Sequence, residues 1–87
     1  MLTKKITVTN PSGLHMRPAG FFVTSILPFK SEVLLAIRDG VYNCKSMLSI
    51  LSAVVKCGDE IELSVEGADE QECMDAVMAA FEVGLGE

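Results

Sequence analysis

With 87 residues the chain has room for one hydrophobic core, since a domain of this size buries about 60–65% of its extended surface. Hydrophobic residues make up 49% and charged residues 22%, a globular balance that argues against disorder. A net charge of −5 argues against non-specific nucleic-acid binding, which needs a basic face. Cys44, Cys57 and Cys73 show neither CxxC nor metal spacing, which predicts reduced thiols and no bound metal. The first residues alternate polar with apolar, unlike a secretory signal, and no run approaches the ~20 apolar residues that span a bilayer. A soluble, cytoplasmic protein is expected.

Ile6 and Val8 fall on one face of an extended segment and Lys5, Thr7 and Thr9 on the other. Asn10-Pro11-Ser12-Gly13 breaks it, which predicts a first strand ending there. The next stretch, Gly13-Leu14-His15-Met16-Arg17-Pro18-Ala19, sets the only histidine between a glycine turn and a proline. Proline has no N–H and a φ suited to a helix, so Pro18 can open one. Ala19, Phe22, Val23 and Ile26 then fall at i, i+3, i+4 and i+7, and Pro28 stops further winding. Phe21, off that stripe, is expected to be partly exposed.

His15 thus stands at a helix mouth, where unpaired N–H groups and the positive end of the dipole favour an anion. Arg17 adds a permanent cation whose forked donors suit phosphate oxygens, and Lys45 and Lys56 are candidates for the same basic spot. A neutral imidazole is a nucleophile near neutral pH, and a phosphoryl group placed on it would form among these donors. The stretch reads as a phosphoryl-accepting histidine. A solitary histidine beside an arginine is also met as a plain solvated or capping residue, so the local pattern alone leaves both roles open.

Glu32 to Ile37 and Val41 to Asn43 are β-rich, and Arg38-Asp39-Gly40 between them predicts a hairpin whose glycine takes the φ > 0 position. Ser46 precedes Met47-Leu48-Ser49-Ile50-Leu51 and is a favoured N-cap for a short helix. Met47, Leu48 and Leu51 are more apolar surface than so short a helix needs for its core, which suits docking as well as packing. Ile61, Leu63 and Val65 alternate with Glu60, Glu62, Ser64 and Glu66, a half-buried strand with a solvated acidic face. Asp69 is expected to cap a last helix, with Glu70 and Glu72 in its first turn and Met74, Val77, Met78 and Phe81 as its inward stripe before Gly84. The order strand, helix, strand, strand, helix, strand, helix predicts an α+β two-layer sandwich with the helices on one face. Strand order is left open by this pattern. No Gly-x-x-x-x-Gly-Lys loop or Mg²⁺-type acidic cluster is present, so no nucleotide cofactor is expected and the phosphoryl group must come from another protein.

The Gly-Leu-His-Met-Arg-Pro-Ala stretch is similar to the active-site signature of the HPr family, the histidine-containing phosphocarriers of the bacterial phosphotransferase system. Asn43-Cys44-Lys45-Ser46-Met47 resembles the regulatory serine segment of its Gram-positive members, and the similarity runs along nearly the whole chain. The resemblance implies one HPr-like domain over residues 1–87: an open-faced sandwich, its four-stranded antiparallel sheet in order 1-4-2-3 with three helices on one face. It implies a carrier and not an enzyme. His15 would accept the phosphoryl group on Nδ1 from enzyme I, charged by phosphoenolpyruvate, and pass it to EIIA domains of sugar transporters. Arg17 would stabilise the phosphate, and Gly20, Met47, Leu48 and Leu51 would dock partners. Ser46 would be phosphorylated for regulation by HPr kinase/phosphorylase, with a catabolite-control transcription factor as a further partner; the alternative is a purely regulatory co-repressor. No cofactor, metal, direct nucleic-acid contact or membrane insertion belongs to this picture. The chain also departs from its relatives. Gly40 comes one residue later than the usual turn glycine, implying a longer loop or a bulge. Gly20 and Val54 replace the common alanine and glycine, and Thr24 and Leu27 stand where many relatives carry basic residues.

Overall fold

The two-residue period of a strand, clearest as apolar/polar alternation from Glu60 to Glu66, leaves one face to bury, and helical stripes leave each helix one side to cover it with. The computed structural model, which describes Met1–Glu87, joins the two. Strands β1 (Leu2–Thr7), β2 (Glu32–Ile37), β3 (Gly40–Asn43) and β4 (Glu60–Glu66) form one antiparallel sheet in the order β1-β4-β2-β3. Helices α1 (Met16–Ile26), α2 (Met47–Ala53) and α3 (Glu70–Glu82) complete an open-faced two-layer sandwich, as expected.

Register explains the core. Val65 lies opposite Leu2 and Val33, and Leu63 opposite Lys4 and Leu35, so the buried side chains form rows across one face of the sheet. On that face Val33, Leu35, Ile61, Leu63 and Val65 are sealed under Ala19, Phe22 and Ile26 of α1 and Cys73, Met74 and Val77 of α3. Each of the Val, Leu, Ile, Phe and Met side chains among them contributes about 1.5–3 kcal/mol when buried. Phe22 and Phe81 meet edge to face at 5.2 Å, joining α1 to α3. Thr3, Lys5, Glu60, Glu62 and Glu66 occupy the other, open face. No helix is long and apolar enough to cross a membrane.

Three local expectations are revised. Helix α1 begins at Met16 with His15 as its N-cap, so Pro18 is its third residue and not its opener. The hairpin carries neither a longer loop nor a bulge. Ile37 pairs with Gly40, only Arg38 and Asp39 lie between, and the positive φ of +53° belongs to Arg38. A left-handed conformation costs a non-glycine residue about 1–2 kcal/mol, offset here by the Arg38 guanidinium, which donates to the carbonyls of Ala53 and Val54 and lies 3.7 Å from Asp59 Oδ2. Asp69 stands at the N-cap of α3, but its carboxylate makes no cap bond. It accepts instead from Lys30 N–H at 2.8 Å, Ser31 N–H at 2.9 Å and the Ser31 hydroxyl, fastening the α1–β2 connection to α3. Helix α3 ends before Gly84, as expected, and a 3₁₀ turn, Gly84–Gly86, then buries Leu85 and brings Gly86 so close to Phe21 that a Cβ there would meet the ring at 3.0 Å.

Candidate functional site: the mouth of helix α1

The turn before His15 is built against the segment that follows α2. Gly13 has φ +59°, and a Cβ on it would lie 2.8 Å from Lys56 Cα, so only glycine fits. Asn10 Nδ2 donates to the Gly13 carbonyl at 2.8 Å, and Leu14 N–H donates to the Val55 carbonyl at 3.1 Å. Leu14 is buried. With its neighbour anchored, His15 adopts an extended backbone (φ −72°, ψ −178°), gives its carbonyl to Ala19 N–H at 2.8 Å, and leaves its exposed ring free of any capping bond. Pro18 has no N–H to donate, so the mouth of the helix presents the N–H groups of Met16 and Arg17, for which the chain supplies no acceptor.

His15, Arg17, Ser12, Lys56, Cys57 and Glu87 line one cleft. Arg17 and Lys56 therefore do share a basic spot with His15. Lys45 does not: its Nζ donates to the Phe29 carbonyl, just beyond the C-terminus of α1, where a cation is favoured by the unpaired carbonyls. Glu87 is a member that sequence reasoning missed. Its Oε1 accepts from Asn10 Nδ2 at 2.9 Å and from Ser12 N–H at 3.0 Å. Those bonds, Asn10 first, with Arg17 a lesser influence, hold its carboxyl below the usual range. Nothing near either residue in sequence signals a contact spanning 77 positions.

Ser46 caps α2, accepting from Ser49 N–H at 3.2 Å, as a serine in that place should. The opposite end of α2 flanks the histidine, because Leu51, Val54 and Val55 line a second small cavity with Leu14, His15 and Lys56. Ser46 and His15 thus lie towards opposite ends of α2, a seven-residue helix about 10 Å long at 1.5 Å per residue. Of the apolar docking candidates, Leu48 is 80% exposed, while Met47 and Leu51 are partly buried against the core. Gly20 leaves a vacant notch on α1, with nothing within 4 Å of where a Cβ would stand. Met16, 70% exposed, and Val54, 56% exposed, add apolar surface directly beside His15. Neither was singled out for this from sequence, because both are too isolated to register in a periodic pattern.

Burial, and secondly Cys73, push the Cys44 thiol up to about 12, which keeps it protonated and unreactive. No three His, Cys, Asp or Glu side chains converge on a point. What the mouth of α1 can do is receive an anion. A phosphoryl group joined to the His15 ring would have two unpaired N–H groups and a guanidinium beside it, in a cleft open to a partner.

Comparison with known proteins agrees with this geometry. The family profile described as "PTS HPr component phosphorylation site" matches residues 2–83. The phosphocarrier protein HPr of Treponema pallidum is 36% identical over 83 residues, covering 94% of this chain and 93% of its own. The HPr-like protein Crh of Halalkalibacterium halodurans is 37% identical over 82 residues, covering 94% and 98%. The crystal structure of HPr from Thermoanaerobacter tengcongensis superposes with a TM-score of 0.95 at 36% identity, covering 100% of this chain and 98% of that one. The chain belongs to the HPr family of phosphotransferase-system phosphocarriers.

Proposed function

We propose that this chain is a single carrier domain over residues 1–87 that takes a phosphoryl group from enzyme I on His15 and delivers it to EIIA domains for sugar uptake in the cytoplasm. The observation that carries the reading is the exposed, uncapped His15 ring at a helix mouth with the Met16 and Arg17 N–H groups unpaired beside it. In the transfer the Nδ1 lone pair of neutral His15 forms the new N–P bond as the donor's bond to phosphorus breaks and its electron pair leaves with the donor. The ring, made cationic by bond formation, releases its Nε2 proton to solvent while the departing donor takes one up, and the negative charge that the phosphoryl oxygens carry throughout is stabilised by Arg17 and the helix mouth. The reverse exchange onto EIIA breaks the same N–P bond. The protein is then a substrate of enzymes and not itself one. Leu48, with the exposed parts of Met47, Leu51 and the notch at Gly20, supplies apolar docking surface on the helical side.

Ser46 is the regulatory position in this reading, phosphorylated by HPr kinase/phosphorylase. A phosphate there adds about −1.5 to −2 charges on the docking side of the molecule, at the end of α2 away from His15, and opposes the approach of an acidic partner. A second reading, a co-repressor that joins a catabolite-control transcription factor through phosphorylated Ser46, is favoured by the 37% identity to the HPr-like protein Crh. Incubation with enzyme I and labelled phosphoenolpyruvate separates the two. Acid-labile, alkali-stable label, absent from His15→Ala, is expected of the carrier; absence of label from the wild-type protein leaves only the regulatory role.

A further inference from the structure

We propose that Arg38 is a positioning residue for His15, acting through the segment Val54–Lys56; this rests on the carrier function above and adds a residue to the same site. Arg38 and His15 line different cavities, and Val54 and Lys56 belong to both, so this segment is the wall between them. On the Arg38 side the wall is gripped at its two ends. The guanidinium donates to the carbonyls of Ala53 and Val54, the latter at 3.1 Å. It also lies 3.7 Å from Asp59 Oδ2, the oxygen that accepts Lys56 N–H at 2.9 Å, while Asp59 N–H donates to the Lys56 carbonyl at 3.0 Å. Asp59 is itself tied to the chain before the site, because its carbonyl accepts Val8 N–H at 2.9 Å.

On the His15 side the middle of the wall is what the site stands on. The Val55 carbonyl accepts Leu14 N–H at 3.1 Å, and Gly13 is pressed against Lys56. A shift of Val55 therefore moves the residue immediately before His15.

The wall needs gripping because of what occupies position 54. Val54 ends α2 in the left-handed conformation, φ 53° and ψ 55°, a region that glycine enters freely and a β-branched residue resists. Left to itself, the segment gains by relaxing out of this conformation, and the Val55 carbonyl would move with it. Arg38 opposes that by bonding the carbonyls on either side of the strained φ/ψ pair, which also satisfies acceptors that the end of a helix leaves open. The turn geometry follows from the same contact: Arg38 is itself held at φ +53°. Transfer depends steeply on placement of the reacting atom, so loosening the wall reaches the chemistry without Arg38 touching the phosphoryl group.

Labelling of the wild-type protein by enzyme I and phosphoenolpyruvate is measured first and tests the carrier function alone. In Arg38→Ala, kcat for transfer is then expected to fall about three- to tenfold, with KM for enzyme I within about twofold of wild type. Arg38→Lys keeps the charge but cannot span two carbonyls and a carboxylate, and recovers less than half of the loss. In a Val54→Gly background, where position 54 is relaxed, Arg38→Ala costs less than about twofold. Hydrogen exchange supplies a readout independent of activity: the Leu14 amide exchanges at least about tenfold faster in Arg38→Ala, while Leu63 in mid-sheet is unchanged. Full recovery by lysine would mean a charge effect on docking and would overturn the proposal. Wild-type kcat with wild-type Leu14 exchange in Arg38→Ala overturns it too, as does an undiminished loss in the Val54→Gly background. If the wild-type protein takes no label, the carrier function falls, and Leu14 exchange still decides whether Arg38 holds the wall. Should Arg38→Ala not fold, Arg38→Met, which keeps the aliphatic stem, is put through the same measurements.

Discussion

Helices α3 and α1 both start on a polar residue that does not cap its own helix, yet the two side chains are used in opposite ways. At α3 the Asp69 carboxylate is saturated by Lys30 N–H, Ser31 N–H and the Ser31 hydroxyl. At α1 the His15 ring bonds to nothing and two N–H groups are left without an acceptor. The first opening is a joint between elements. The second leaves a side chain free at the surface, where water satisfies the N–H groups that the chain does not. The difference lies in the N-cap side chain, bound to a neighbouring element at α3 and free at α1, since the N–H groups of Gln71 and Glu72 in the first turn of α3 have no more acceptors than those of Met16 and Arg17.

The largest effect should come from the free side chain. His15→Ala should abolish labelling by enzyme I while changing stability by no more than about 0.5 kcal/mol, because an exposed ring without partners holds nothing together. Full labelling of the folded variant would break the comparison at once. Arg17→Glu should slow transfer about tenfold or more, since a cation beside the developing phosphate becomes an anion. The wild-type rate should also fall with salt, which screens attraction between exposed charges. A rate that ignores both changes would take Arg17 out of the site.

The bound side chain should answer in stability and not in transfer. Asp69→Asn should lower the denaturation midpoint at pH 7 and leave the transfer rate alone. Hydrogen bonds from Ser31 and Lys30 hold the folded-state pKa of Asp69 below its ordinary value, so the unfolded chain binds the proton more readily. Its stabilising contribution is therefore complete above about pH 4 and disappears as the pH falls through the lowered folded value. The gap in midpoint between wild type and Asp69→Asn should accordingly be wide at pH 7 and narrow at pH 3. A gap that stays constant with pH would show that the charge of Asp69 is not what holds the joint.

Ser46 lies between these extremes, an N-cap whose hydroxyl accepts Ser49 N–H, on the side proposed for docking. Ser46→Asp should keep the melting temperature, because aspartate is an equally good N-cap for Ser49 N–H, while raising the KM for enzyme I about threefold to tenfold through like-charge repulsion. Unchanged KM with a lower melting temperature would make Ser46 a structural cap only. The smallest effect is expected in mid-helix: Gly20→Ala should stabilise the fold by about 0.5–1 kcal/mol, as nothing lies within 4 Å of the added methyl group. A loss of stability in a melting experiment would mean that the notch is already filled.

Much of this protein is legible in its sequence because much of it is written in local periodicity. The alternation from Glu60 to Glu66 and the run from Glu32 to Ile37 are strands with the bounds read from the residues alone, since a period of two leaves a strand one face to bury. Ser46 caps α2 as its chemistry requires, and the Gly13–Ala19 stretch points to the helix mouth without a structure. What tertiary structure decided are the places where a local preference lost to a distant contact. Arg38 takes the left-handed position that Gly40 was expected to fill, because the carbonyls at the end of α2 and Asp59 hold its guanidinium. Asp69 leaves its own helix for Ser31, Lys45 turns from the site to the Phe29 carbonyl, and Glu87 reaches Asn10 across almost the whole chain. A hydrogen bond or ion pair is chosen among all donors and acceptors that the fold brings within about 3 Å, and a one-dimensional pattern carries no record of which those are.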